Sequence, residues 1–285
     1  MPRRIAVSSL GLVVAIGLAC LVGAVILLAT HQNPLDAANG LWNGAFGSDV
    51  EIYATLSQTT PLIFAALSFM FAFRAGIFNA GGQGQFIMGA FASSWAGFSP
   101  ALAHLPPAIH LPLVVVAGFI GGALWSLPPI LLKIYAGTNE ILTTLMMSYI
   151  ADLLNDYLVL DVFRAPSIQP GTNAQTPTLV PSATFAPIFP QSQVTILLPI
   201  GVILAVIIWA FFRRTVLGYE LNLFGSGAMV ARSGGIGTKK LMLTSMLVSG
   251  GLAGVAGASV VVGVFQADIT PFSSNVGFDG ILAAL

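Results

Sequence analysis

Five uncharged stretches, each about as long as a helix needs to cross a bilayer, constrain this chain more than anything else in it. They cover residues 5–30, 52–73, 111–132, 194–212 and 241–266. Spanning about 30 Å of hydrocarbon takes roughly 20 apolar residues in a helix. Two further stretches are less clean. Residues 76–98 carry no charge but open with Asn79-Ala80-Gly81-Gly82-Gln83-Gly84-Gln85, and residues 138–160 contain Glu140, Asp152 and Asp156. An eighth apolar stretch begins at Gly277 and reaches Leu285. Only 7% of residues are charged, against about 25% in a soluble domain that must wet its surface. The expected fold class is therefore an all-α polytopic membrane protein of about seven to eight transmembrane helices with a broken third span. The first run, behind Arg3 and Arg4, far exceeds the roughly 7–15 apolar residues of a secretory signal and is followed by more spans, so it reads as a retained helix.

The few charges set the orientation. With the N-terminus in the cytoplasm and seven alternating spans, the inside receives Arg3, Arg4, Arg74, Lys133, Arg213, Arg214, Arg232, Lys239 and Lys240. Of the ten basic residues only Arg164 falls outside. The positive-inside rule favours this arrangement and rejects its inverse. The whole of 1–285 then reads as one transmembrane domain with two notable loops. Residues 161–193, on the outer face, hold six prolines (166, 170, 177, 181, 187 and 190), which suits an extended segment ordered by contact. Residues 213–240, on the inner face, mix apolar residues with glycines, as short helices at the membrane surface would.

Catalytic chemistry finds little support. Cys20 is the only cysteine, which excludes an internal disulfide and a thiolate metal cluster. His31, His104 and His110 fall in predicted outer loops, too scattered for a metal site. No Ser-His-Asp arrangement or phosphate-binding loop is present, and the zero net charge points to no nucleic acid. The chain is expected to be no enzyme and to need no cofactor or metal.

Polar residues at membrane depth are the functional candidates. The glycine- and amide-rich opening of residues 76–98 is poor lipid-facing material, since irregular backbone survives there only against protein or a cavity. It fits either a broken helix forming a polar translocation site or a tight interfacial turn. In residues 138–160, Glu140, Thr144, Ser148, Asp152 and Asp156 recur every four residues as a slowly winding polar ridge. A buried carboxyl at this depth costs roughly 2.5–3.5 kcal/mol, so the ridge is expected to line the bundle interior, with Asp152 its deepest acid, serving a proton relay or packing against a polar neighbour. Gly118 and Gly122, and Gly250 and Gly254, have the small-residue spacing of close helix contact. The inner loop is either an amphipathic connector or a docking surface.

Four motifs in order resemble those of one family, the permease subunits of ABC importers for nucleosides and simple sugars, within the superfamily of branched-chain amino acid and ribose permeases. They are Phe78–Gln85, Gly137-Thr138-Asn139-Glu140-Ile141, the inner loop through Gly218, Gly225, Ala231, Arg232, Gly235 and Ile236, and Gly277-Phe278-Asp279-Gly280-Ile281. Gln83 stands where that family commonly has glutamate, Asn222 where it often has arginine, and Gly227-Ala228 where it has asparagine-proline. The family also continues with further spans past the last motif, so the chain is expected to be C-terminally incomplete relative to it. The resemblance implies an inner-membrane subunit that takes up a nucleoside or simple sugar delivered by an extracytoplasmic binding protein. Cytoplasmic ABC ATPases would dock on Gly218, Gly225, Ala231, Arg232, Gly235 and Ile236, and a second permease subunit would complete the pore. Asn79, Gln83, Gln85, Asn139, Glu140, Thr144 and Asp152 would line or support the pathway. A branched-chain amino acid permease, an ion-coupled secondary carrier and, more distantly, a membrane-embedded enzyme are the alternatives.

Overall fold

The computed structural model describes residues 2–166, 174–227, 231, 235–270 and 275–285, with side-chain surroundings from residue 14 onward. Two compact units divide it, 1–55 and 56–285.

In the first unit, α1 (Pro2–Ala29) and α2 (Pro34–Phe46) are followed by the opening turns of α3 (Asp49–Arg74). His31 takes a positive φ at the break, and α2 restarts behind Asn33, whose side chain accepts from the Leu35 N–H at 3.0 Å. Pro34 opens the first turn, where its missing N–H costs nothing. Residues 14–29 and α2 meet at 118°. Sequence reading missed α2, because Gly40 and Gly44 and a mixed composition hide a 13-residue helix.

In the second unit the order is α3, α4 (Gly82–Phe98), α5 (Pro107–Trp125), α6 (Leu127–Ala136), α7 (Glu140–Tyr157), a π-turn (Leu158–Val162), β1 (Ala174–Gln175) and a 3₁₀ turn (Pro181–Ala183). Then come α8 (Leu197–Arg214), α9 (Val216–Ser226), α10 (Thr238–Val260), a second π-turn (Val261–Phe265), β2 (Ile269–Thr270) and α11 (Val276–Ala284). The centre is α10, packed against α4 and α5. It presents Gly, Ala and Ser to its neighbours, and 78% of its apolar window is buried, against 22% for α8. Large apolar side chains point outward instead, including Ile203, Val206, Ile207 and Trp209 on α8. Small inside and large outside is the packing rule where lipid, not water, covers the surface, because close backbone approach replaces hydrophobic burial as the source of helix association.

The expected glycine seam is present. A Cβ on Gly122 would lie 2.8 Å from the Gly254 Cα, and one on Gly250 would lie 2.6 Å from the Gly122 carbonyl oxygen. Gly89 of α4 meets Gly254 as well. Only glycine lets three backbones converge this closely.

Four helical stretches are long and apolar enough to cross a membrane: α3, α5 with α6 (107–136), α8, and α10 with its π-turn (238–265). A fifth appears if residues 14–29 and α2 form one bent span. Of the other stretches expected to cross, α4 has 17 residues and α7 carries three acids, so neither qualifies by length and composition alone. The described part of the Pro-rich segment is ordered by contact. Ala165, Thr176, Leu179 and Val180 donate their N–H groups to Gln175, Asp268, Gln266 and Gly97 carbonyls, and β1 pairs antiparallel with β2. His110 is a correction: it lies in the first turns of α5, not in a loop, and is fully buried between Ser182 (2.9 Å) and the Ala96 carbonyl (3.2 Å). Three residues after Pro107, a legal helix start, its ring finds two polar partners that sequence could not reveal.

Candidate functional site

The backbone breaks after α3, turns at Gly76 (φ 69°) and does not resume a helix until Gly82. The intervening peptide and the first turn of α4 are almost wholly buried, so its amides must find protein partners. Asn79 donates from Nδ2 to Gln85 Oε1 (2.8 Å) and Ser249 Oγ (2.9 Å), and its Oδ1 accepts from Gln85 Nε2 (3.2 Å) and the Gly81 N–H (3.1 Å). Ser249 in turn donates to the Ser68 carbonyl at 2.8 Å. Gln83 Oε1 accepts from the Gly277 N–H at 2.9 Å, and the Gly84 N–H donates to Ser148 Oγ at 3.1 Å. This one junction thus ties together α3, α4, α7, α10 and α11.

The first and fourth motifs meet here through their glycines, and α7 joins them just past the second. A Cβ on Gly81 would come within 2.8 Å of the Thr144 carbonyl, and one on Gly84 within 2.7 Å of the Ser148 Cα. A Cβ on Gly277 would strike the Gly82–Gln83 backbone, and one on Gly280 would come within 2.7 Å of the Ala65 carbonyl carbon.

The second motif is a helix-to-helix joint. Gly137 closes α6 in the left-handed region (φ 65°), Asn139 caps α7 by accepting from the Ile141 N–H at 2.9 Å, and Glu140 pairs with Lys133 across the turn at 2.6 Å. Asn139 is exposed and Glu140 half-buried, so both serve the joint here. Beyond it the polar ridge departs from expectation. Thr144 and Ser148 are buried, but Asp152 is exposed. A four-residue step gains about 40° on the helix, so the ridge winds off the interior within two steps. The buried stripe runs instead through Thr144, Ser148, Ala151 and Asn155, at steps of four, three and four. Asn155 was missed because a repeat of four, not the true alternation, was followed.

The third motif, the inner loop, sits beside the first. In α9, Gly225 packs its backbone on Arg74 and Gly76; a Cβ there would strike the Arg74 carbonyl and lie 3.1 Å from the Gly76 nitrogen. Gly218 lets α9 fold back on α8, where a Cβ would come within 2.7 Å of the Phe212 Cα. Leu221, Phe224 and Ala231 join Phe71, Ala72, Ala75 and Ile77 in one buried cluster, with Ile236 against it. Gly235 has φ 72° and open surroundings. Arg232 lies outside the described residues. Among the described residues no group of His, Cys, Asp or Glu is placed to hold a metal ion.

The site is thus a broken, amide-rich stretch inside a bundle of apolar helices, with a short helix packed on the base of that break. Residues 52–285 match the family described as the branched-chain amino acid transport system / permease component, and the chain belongs to that family. The chain is 33% identical to the guanosine ABC transporter permease protein NupP of Bacillus subtilis, over 95% of this chain and 77% of the relative. It is 33% identical to the nucleoside ABC transporter permease protein NupB of Lactococcus lactis, over 95% and 76% respectively. Similarity to the glucose ABC transporter permease protein TsgB13 of Haloferax volcanii is 29%, over 93% and 70%. No solved structure matches the chain. It is therefore a multi-pass inner-membrane permease subunit of an ABC importer, a class that works with ABC ATPases and a substrate-binding protein.

Proposed function

We propose that this chain forms half of the pathway of an importer for nucleosides, with simple sugars as the second reading, and that α9 is the element through which ATPase motion reaches the pathway. The single observation that carries this is the backbone contact of Gly225 with Arg74 and Gly76. The turn at Gly76 leads within three residues to Asn79, so displacing α9 pulls directly on the amide junction. Asn79, Gln83 and Gln85 are spent on protein partners in this conformation, so opening a polar path requires their partners to change. Thr144 and Ser148 support that junction from α7, while exposed Asp152 and Asn139 face whatever completes the pore, and Glu140 holds the α6–α7 joint. Gly218, Gly225, Ala231, Gly235 and Ile236 frame the ATPase-facing segment, with Arg232 between them.

The finer topology is also a proposal: seven to eight crossings in a lipid bilayer, α4 and α7 included, with the N-terminus, residues 213–240 and nine of ten basic residues cytoplasmic. The 161–193 segment then lies outside, where a binding protein delivers solute. The preference for nucleosides rests on the two relatives at 33% identity, and that for sugars on the glucose permease at 29%. A second, non-identical permease subunit is supported by the weaker match to another guanosine ABC transporter permease protein of Bacillus subtilis, NupQ, at 26%.

The test is uptake in proteoliposomes carrying this chain, its partner subunits and a binding protein. We expect ATP-dependent guanosine uptake, and little for a branched-chain amino acid. A bulky Gly225→Val must separate α9 from a backbone that cannot yield; at an overpacking cost of about 1–3 kcal/mol, coupling should drop roughly tenfold or more. Insertion should be unaffected. Uptake by the chain alone, or an undiminished rate for Gly225→Val, would overturn the proposal.

A further inference from the structure

The β1–β2 pair is more than a staple for the Pro-rich segment. Between β2 and the end of α7 it encloses a polar junction that the transport reading does not use. Asp268 bonds Thr176 twice through its backbone, its N–H donating to Thr176 Oγ1 (3.0 Å) and its carbonyl accepting from the Thr176 N–H (2.9 Å). Thr176 Oγ1 also shares a hydrogen bond with Ser94 Oγ of α4 (2.9 Å). The Asp268 side chain is completely buried, beside Asn155 of α7, itself 1% exposed. Neither Asp268 carboxyl oxygen nor Asn155 Oδ1 has a hydrogen-bond partner. The Asn155 side chain and the Ile269 N–H approach the carboxyl without completing a hydrogen bond at it.

Three oxygen acceptors without a donor, in one buried place, are a missing hydrogen. A buried carboxylate without a partner is among the costliest groups a fold can carry. The groups facing Asp268 make this worse. From α7 comes Asp156, which accepts from Thr270 Oγ1, while Asp152, one turn earlier, is exposed. Among the described residues, α4 and the position just after β1 bring the neutral Ser94 and Thr176. Asp161 and Arg164, on the segment leading into β1, are exposed, and among the described residues the one ion pair is Lys133–Glu140. Among the described residues, then, no cation balances the carboxylates. A calcium ion would need roughly six to eight oxygen ligands, whereas a proton needs one acceptor, and the Asn155 side chain, its Oδ1 unpartnered, lies against the carboxyl.

We propose that Asp268 is a proton-binding site: a neutral carboxylic acid donating its O–H to Asn155 Oδ1, whose deprotonation loosens the β1–β2 pair and frees the Pro-rich segment from α4 and α7. Burial, with a smaller push from the Asp156 charge, raises the Asp268 carboxyl to about 7, against opposing pulls from Asn155 and the Ile269 N–H. The junction is thus poised to titrate near neutrality. It does not depend on what the protein transports.

The test uses the full chain in lipid nanodiscs. With Cys20→Ser as background, Ala174→Cys places a thiol in β1 at a buried position, reachable by a thiol reagent only when the pair opens. Labelling is followed from about pH 5.5 to pH 8.5 with Asp268 intact and with the isosteric, permanently neutral Asp268→Asn; their ratio cancels the thiol's own ionisation. A group with its midpoint near 7 goes from about one-tenth to nine-tenths ionised between about pH 6 and pH 8. We expect the ratio to climb at least fivefold over that interval. Infrared difference spectra of the unlabelled chain provide a second readout. A protonated-carboxyl C=O band should vanish over the same range and be absent from Asp268→Asn. A flat labelling ratio refutes the loosening, absence of a titrating band refutes the proton, and a ratio that follows sodium or calcium at fixed pH replaces the proton by a metal ion.

Discussion

Gly254→Ala should be among the most damaging single-methyl changes in the bundle core. The new Cβ would meet the Gly118 carbonyl at a separation no carbon tolerates, and would lie 3.0 Å from both the Gly118 carbonyl carbon and the Gly122 nitrogen. Ordinary van der Waals contact begins near 3.4 Å. All these atoms are α5 backbone, so no rotamer change relieves the clash and α10 must back away from α5. Gly89 of α4 rests on the same residue, within 2.6 Å of the Gly254 carbonyl oxygen for a built Cβ, so that displacement opens the α4 seam too. Overpacking costs typically about 1–3 kcal/mol, and the upper end applies where backbone opposes backbone. For a unit of this size that is a fall of roughly 5–10 °C in Tm. Gly23→Ala, in α1 with nothing within 4 Å, is the control and should gain slightly from alanine's helix propensity. The assay is thermal unfolding of detergent-solubilised protein, read by fluorescence-detected size exclusion. A second change on the same seam, Gly122→Ala, should cost less in the Gly254→Ala background than alone, because α5 has already moved. A Gly254→Ala midpoint within 1 °C of Gly23→Ala would refute the seam.

Asn79→Leu strands the Gln85 amide in the buried junction, at about 1–3 kcal/mol for each unmet group, while Ser249 keeps its bond to the Ser68 carbonyl; it should lower the thermal midpoint more than the double variant Asn79→Leu/Gln85→Leu lowers it beyond the first change. The Asp268 carboxyl is raised from 3.8 to about 7 on folding, so between those values the folded state holds a proton that the unfolded chain has lost. Stability should fall as pH rises from about 4 to about 7, by up to about 4 kcal/mol, and level off above, while Asp268→Asn removes this contribution; pH-dependent melting of the two chains decides it. Lys133→Ala should cost about 1 kcal/mol or less, as its pair with Glu140 is partly exposed; a larger drop in melting temperature would show that the α6–α7 joint depends on it.

Most of the helices were legible because lipid imposes a pattern that survives without coordinates: long uncharged runs and charges confined to their ends. The glycine seam was legible for a related reason, since small residues four apart mark close approach whichever helix lies opposite. The amides from Asn79 to Gln85 announced themselves by being out of place in an apolar stretch. Reading failed where the answer lay in rotation or in distant pairing. Asp152 and Asn155 differ by three residues, yet one is exposed and the other buried, because a repeat of four drifts around the helix and the true inward stripe alternates between three and four. The helix α2 lacks the uniform hydropathy that marks a span.

By itself, then, the sequence determined that this chain lives in a membrane as a bundle of helices, and where its backbone must be irregular, because the absence of water leaves so few ways to satisfy an apolar chain. Only the tertiary structure decided which amide meets which serine, that Gly225 rests on Gly76, and that Asp268 is shut in beside Asn155. Those contacts join residues up to 170 positions apart, and nothing local in the chain encodes a partner at that distance; it is set by how the helices pack.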